Sequence, residues 1–298
     1  FINDLFPKDY QSFFIGRDQE YLKAPSDAVK VSFFPKGAII DVIVMPTFNS
    51  DEYVTGERLA YFNPNSGQMV QQDFSQGVQD PSKDWSNGEV ALRIKKNYRG
   101  HELAFYSYRG FHKQPTAKSL GSQQMIFPRL NTYGASWRSR VLGGITNTEI
   151  GYYDSQADDA GTKATIPNDY LKWLVGYKRD LGNDWTIGLQ YYVEQMQDYD
   201  NYKASLPSGY QYLQDENRQV TTFRVTKQLK RKTLKLDLFT FYSPSSEDGY
   251  LRPTVSYDWT DNINLSVGGN IFFGEDDYTK FGSMEDNSNL YARLRYSY

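Results

Sequence analysis

From Ala28 to the C-terminus the chain follows a two-residue rhythm. Val29, Val31 and Phe33 alternate with Lys30, Ser32 and Phe34, the run stops at Pro35-Lys36-Gly37, and Ile40, Val42 and Val44 then fall opposite Asp41. Successive side chains of an extended strand point to opposite faces, so this period predicts a hairpin with one apolar and one polar face. The same pattern recurs in pairs: 89–97 with 102–109, 131–140 with 146–153, 170–178 with 185–195, 219–229 with 233–242, and 250–259 with 263–273. A last strand covers 288–298, where Leu290, Ala292, Leu294, Tyr296 and Tyr298 oppose Tyr291, Arg293, Arg295 and Ser297.

The connections carry as much information as the strands. Within each pair the turn is short; between pairs lie long polar segments at 48–86, 111–128, 155–168, 198–216 and 274–287, so the expectation is an alternation of short and long throughout. Strands of about ten residues match the 9–11 that a tilted strand needs to cross a bilayer. Short turns on one side and long loops on the other are the habit of outer-membrane barrels, whereas a sandwich gives no reason for every second connection to be long. The expected fold is therefore all-β: a transmembrane antiparallel up-and-down β-barrel, one domain over 1–298, with an irregular segment at 1–27 followed by strands. Thirteen strands are legible. A closed single-chain barrel takes an even number, so the pattern calls for a fourteenth strand at 10–15, or for strands before Phe1 that bring the total to 14–18.

Composition narrows this further. Only 39% of the 298 residues are apolar while 16% are aromatic, 25 of them Tyr, which is lean for a soluble core of this size and suits a barrel filled with water. There is no Cys, which removes disulfides, thiolate metal sites and thiol nucleophiles. The net charge of −3 gives no reason to expect nucleic acid. No apolar run reaches the length of a transmembrane helix, and Phe1 opens without a charged leader or hydrophobic region, so the chain reads as mature or truncated at its front.

Alternation assigns the polar face. It collects Lys30, Arg93, Lys95, Arg138, Arg140, Lys172, Lys178, Arg224, Lys235, Arg252, Arg293 and Arg295 against Asp41, Glu149, Glu194, Asp237 and Asp258. Bases exceed acids there although the whole chain is acidic; the surplus acid sits in the loops, at Asp154, Asp158, Asp159, Asp198, Asp200, Asp215, Glu216, Glu275 to Asp277, Glu285 and Asp286. Rings of Arg and Lys bias a pore toward anions. The expectation is a porin-like channel for passive or weakly selective passage of small solutes, with an anion-leaning lumen. The opposing reading is a lumen filled by ion pairs, for instance Lys235 with neighbours of Asp237, or plugged by the long loop 48–86, so that the barrel serves as scaffold or sheath for a periplasmic or surface protein such as an electron carrier.

Tyr106, Tyr108, Tyr152, Trp173, Trp185, Trp259, Tyr296 and Tyr298 read as interfacial girdles, while inward residues such as Tyr192 and Tyr291 are the ones free to stack on solutes. The acidic run Glu275 to Asp277 lacks calcium-loop spacing and reads as solvated. No enzyme and no cofactor are expected. His101 and His112 stand at opposite ends of one strand; His112 near the rim is the one candidate for a hydrolase, and without a nucleophile elbow or a metalloprotease motif it reads as solvated.

Two resemblances add to this. The aromatic final residue, Tyr298, with Tyr296 two before it, resembles the C-terminal signal read by the outer-membrane assembly machinery of Gram-negative bacteria. Residues 1–47, with Asn3, Pro7-Lys-Asp-Tyr10, Lys23-Ala-Pro25 and Val29-Lys-Val31 leading into Phe33-Phe-Pro35, resemble a segment of a large, uncharacterised porin-like family of Gram-negative outer-membrane β-barrel proteins. Phe6 separates the Asn from Pro7, which loosens the motif. The segment follows several earlier strands in that family, which implies strands before Phe1. The resemblance also implies an outer-membrane location, with lipid bilayer, lipopolysaccharide and the assembly machinery as partners, a channel role, and no catalytic residues.

Overall fold

The computed structural model describes residues 27–119, 122 and 124–298, together with a ladder that pairs Asp9–Tyr10 with Lys23–Ala24. The strand expected at 10–15 lies outside the described residues except for Tyr10, as does most of the segment carrying the family resemblance. Thirteen strands make the main sheet: β1 (Val29–Phe33), β2 (Ala38–Met45), β3 (Glu89–Tyr98), β4 (His101–Phe111), β5 (Arg129–Val141), β6 (Gly144–Ser155), β7 (Tyr170–Gly182), β8 (Trp185–Met196), β9 (Asn217–Leu229), β10 (Leu234–Ser243), β11 (Asp248–Asp258), β12 (Ile263–Gly274) and β13 (Asn289–Tyr296). Each pairs antiparallel with its sequence neighbour, an up-and-down order without crossovers. β1 and β13 run in the same direction, and no ladder joins them among the described residues.

Three of the short connections are two-residue turns with positive φ at both central positions: Arg99-Gly100, Leu142-Gly143 and Asn183-Asp184. That mirror-image turn matches the right-handed twist of the flanking strands, which is why Gly and Asn recur there. The expected alternation of short and long breaks once. β10 and β11 are joined by only four residues, 244–247, with Glu247 at positive φ. Ser246 Oγ donates to Asp215 and Ser245 Oγ accepts from the Gln219 backbone, so this tight turn is held by the base of a neighbouring long loop.

The registers put every strand in one alternation. One cross-strand row runs Ser32, Asp41, Arg93, Tyr106, Gly134, Gly151, Lys172, Glu194 and Arg218. Another starts near the turn end at Arg140, is mid-strand at Arg224 and reaches Arg252 in the loop half of β11, the slope of strands tilted in a barrel wall. The opposite face is apolar, and it is the exposed one: Phe105 is 61% exposed, Leu189 52% and Val267 59%. The sheet also curls. Phe62, between β2 and β3, packs at 4.8 Å from Tyr212, between β8 and β9, and at 5.9 Å from Tyr278, between β12 and β13. Ten flat strand spacings would separate β2 from β12 by roughly 48 Å. The charged face is thus the inner one.

A charge on the outer face tests the orientation. Val267 lies mid-strand in β12 between Val255 and Ala292. Val267→Arg should cost about 2–4 kcal/mol in denaturant unfolding from lipid vesicles, the depth-dependent cost on a lipid-facing strand; a change within about 0.5 kcal/mol would mean that this face meets water.

Candidate functional site on the charged face

The inner face is laced with ion pairs. Asp41 is 1% exposed and takes hydrogen bonds from Ser32 Oγ at 2.6 Å and Arg93 Nε at 3.0 Å, with Lys30 Nζ at 3.4 Å. Lys95 pairs with Glu102, and Arg224 with Asp237 at 3.0 Å, Asp237 also accepting from Thr226. Lys235 stands opposite Ser256 in its ladder, two positions from Asp237, whose partner is Arg224. Glu149 faces Ser136 and Leu174. Toward the turn end, Arg138 and Arg140 sit opposite Asn147 and Ile145, Lys178 beside Ile145, Arg293 beside Ser266 and Arg295 beside Asn264, while Arg252, beside Phe239, lies in the loop half. An open recess of about 300 Å³ at that end is lined by Ser256, Asp258, Asn264, Arg293 and Arg295. All the residues assigned to the polar face from the sequence share this one face.

The tightest constellation is centred on Glu194. Its Oε1 accepts from Lys172 Nζ at 2.8 Å and its Oε2 from Arg218 Nη1 at 3.1 Å; Arg218 Nη1 also donates to Tyr192 OH. Lys172 lies over the Tyr153 ring at 4.3 Å and within 5.4 Å of Tyr170. Arg218 is absent from the sequence reading, which began β9 two residues too late; the alternation Arg218, Val220, Thr222, Arg224 was the available signal.

Two of the residues expected in the girdle belong inside. Tyr106 and Tyr108 share the register of Arg93 and Ala91, so they point inward. Tyr108 donates to Glu89 Oε1 and accepts from the Phe111 amide; Glu89 Oε2 takes Lys113 Nζ at 2.6 Å. The Tyr108 hydroxyl lies where a Cβ on residue 110 would sit, which is why Gly110 is there. Tyr152, Trp173, Trp185, Trp259, Tyr296 and Tyr298 lie exposed along the outer face and its ends.

The long loops fold over the charged face. Between β12 and β13, Phe281 is 4% exposed and packs with Val220, Phe241, Tyr250 and Phe272, all of them inner-face residues; its amide donates to Asp248 Oδ2 at 2.7 Å. The loop between β2 and β3 is structured rather than plain: Tyr61–Asn63 pairs with Gln68–Val70, and Val78–Gln79 joins Met125–Ile126, which pairs with Ala117–Lys118. At its base, Phe48 packs with Phe111 and Phe127. Helix α1 (Tyr199–Ser205) ties in through Asn201, which donates to the Ala160 carbonyl.

His112 is not solvated. Its Nε2 is buried without a hydrogen-bond partner among the described residues, and burial, with the Lys172 ammonium nearby, pushes its pKa down to about 4. His101 sits at the far end of β4, where its Nδ1 accepts from the Trp137 indole.

No family model matches the chain, and no curated protein matches it. Among solved structures it is similar to mutant forms of the porin of Rhodopseudomonas blastica: a triple mutant at 11% identity and TM-score 0.45, a double mutant at 12% and 0.45, and a form with five substitutions at 11% and 0.46. Each similarity covers 94% of this chain and 80% of that one.

Removing the Phe281 ring should cost about 3–5 kcal/mol and release its loop. Phe281→Ala then becomes susceptible to trypsin after Lys280 in limited proteolysis while the parent chain stays intact; equal resistance would mean that the ring does not hold the loop. The lowered His112 pKa sets a sign for acid stability. The unfolded chain takes up this proton from about pH 6.5 and the folded chain only near pH 4, so stability contributed by neutral His112 is present above pH 6.5 and is lost as the pH falls toward 4. Chemical unfolding of His112→Gln across this window should show a shallower slope than the parent.

Proposed function

We propose that the chain forms the wall of an outer-membrane β-barrel in a Gram-negative bacterium and conducts small hydrophilic solutes in a porin-like way, with a lumen that leans toward anions. The observation that carries this reading is the inverted burial of the sheet. The apolar residues are exposed, whereas Asp41, Glu194 and their basic partners are shielded on the inside. Monomers in water rarely expose apolar patches beyond a few hundred Å², and this one extends across thirteen strands. A bilayer outside and water inside satisfy both faces. The resemblance of residues 1–47 to the porin-like family supports the same location. Along the inner wall, Lys95, Arg138, Arg140, Lys178, Lys235, Arg293 and Arg295 gather toward the turn end, where Glu102, Asp180, Asp237 and Asp258 are the opposing acids, a distribution that favours anions in transit. Tyr296 and Tyr298 are exposed at the final strand, where an assembly signal needs to be.

One observation favours a second reading, a closed barrel that serves as scaffold: Phe62, Tyr212 and Tyr278 meet across the loop end. Planar-bilayer recording separates the two. The channel reading expects discrete conductance and a reversal potential on the anion side in a salt gradient, shifted toward cations when Arg138, Arg140 and Arg224 are together replaced by Gln. Silent protein in a verified bilayer insertion supports the scaffold, and a cation-side reversal potential removes the anion preference.

A further inference from the structure

We propose that the hairpin Tyr61–Val70 is a gate: a stiff arm laid across the loop-side mouth and latched at its far end by ring contacts, so that the passage opens when those rings part. The inference rests on the channel reading and deepens it by naming the element that controls flow.

The first observation is where the arm reaches. It leaves the wall between β2 and β3, and Phe62 meets Tyr212, between β8 and β9, with ring centroids 4.8 Å apart. Six strands, β3 to β8, separate those connections along the sheet, roughly 29 Å of wall at the usual strand spacing. That is nearly half of the thirteen-strand sheet, so the contact crosses the mouth rather than following its rim. Tyr278, between β12 and β13, closes the latch from a third side, 5.9 Å from Phe62 and 5.5 Å from Tyr212. At the tip of the hairpin, Gly67 lies so close to the Tyr212 hydroxyl that a Cβ there would strike it.

The second is that the arm keeps its own shape. Tyr61–Asn63 pairs with Gln68–Val70, and the Asn63 carbonyl accepts from the amides of Ser66 and Gly67. Its stems are joined lower down. The Phe74 amide donates to the Thr55 carbonyl at 2.9 Å, and the Phe74 ring packs with Tyr53 and Tyr61. Below this neck the chain is fastened to the wall by Phe48 against Phe111 and Phe127, and by the Asp51 amide, which donates to the Lys113 carbonyl. With the base fixed and the hairpin self-supporting, the arm can swing as one piece.

The third is the contrast between the two kinds of fastening. Around the rim, neighbouring connections are joined through polar groups. Val78–Gln79 forms a ladder with Met125–Ile126, the Lys118 amide donates to the Thr165 carbonyl, and Ser246 donates to Asp215. Across the mouth, no hydrogen bond or ion pair among the described residues ties the hairpin to either partner loop; the rings alone hold it. Such ring pairs are modest in strength, so the crossing contact is the fastening that parts first, on the microsecond-to-millisecond timescale of loop closure.

The chain has no Cys, so paired spin labels can be placed at chosen positions. Asn65→Cys and Ser208→Cys, both exposed and on opposite sides of the latch, are labelled in the full chain reconstituted in lipid. Their separation is read by double electron–electron resonance, beside single-channel recording of the same proteins. The parent should give one short distance with a minor longer one. Phe62→Ala should raise the longer population, and the open fraction with it, by up to about tenfold, the worth of one aromatic pair. Tyr212→Ala, which removes the latch from the facing loop, should do the same. Trp85→Ala, an exposed ring on the same connection as the arm but outside the latch, should change neither. A distance distribution unmoved by Phe62→Ala and Tyr212→Ala overturns the gate. So does a longer population that leaves the open fraction at the parent's value, because the arm then does not block the passage. The two readings fail differently: equal conductance in parent and variants overturns the gate and keeps the channel, whereas silence of every variant in verified insertions overturns the channel and the gate together.

Discussion

The whole structure depends on one constraint: strands that satisfy their backbone groups only through lateral neighbours, and whose side chains alternate without exception. Such a sheet has two faces of opposite character and no freedom to mix them. Here the apolar face looks outward, so the surrounding medium has to be apolar as well, and the opposite face has to curl toward water. The tight mirror-image turns follow from the same twist, because they let neighbouring strands stay paired to their ends. The long connections can gather only on the other side, where they fold over the charged interior.

That interior is not uniform along the strands. From mid-wall to the loop half, acids are sequestered: Asp41 holds Ser32 and Arg93 around it, and Glu194 holds Lys172 and Arg218. Fully paired, these carboxylates order the wall without leaving a strong negative field. In the turn half, bases outnumber acids, and Arg138 and Arg140 have no ion pair among the described residues. The wall therefore grades from compensated to positive along the strands, and the inward loop carrying Phe281 sits at the compensated end.

Much of this was legible in the sequence because period-two alternation is a strong signal over ten residues. It identified all thirteen strands of the main sheet and placed Arg93, Lys172, Glu194, Arg224 and Arg295 on one face. It failed where alternation stops. The position of Tyr108 looked like a girdle because aromatic residues near strand ends fit both faces, and only its register with Ala91 decides between them. His112, Lys280 and Phe281 lie in connections whose paths are set by contacts with distant strands, and no local pattern encodes those. Arg218 was lost to a strand boundary, the least certain feature of any such reading. The four-residue turn at 244–247 escaped for a similar reason: Pro and Ser suit a loop of any length, and its brevity is set by Asp215 and Gln219 elsewhere.

The meeting of Phe62 with Tyr212 and Tyr278 has a consequence for how the molecule is built. Phe62 is more than a hundred residues from either partner in sequence, whereas every rung of the main sheet joins consecutive strands. Neighbouring rungs form at low entropic cost, one hairpin after another, while closing so long a segment of chain has to wait until the wall between its ends has taken shape. The aromatic trio thus belongs to the last step of assembly, and its formation reports that the strands between β2 and β12 have already found their order.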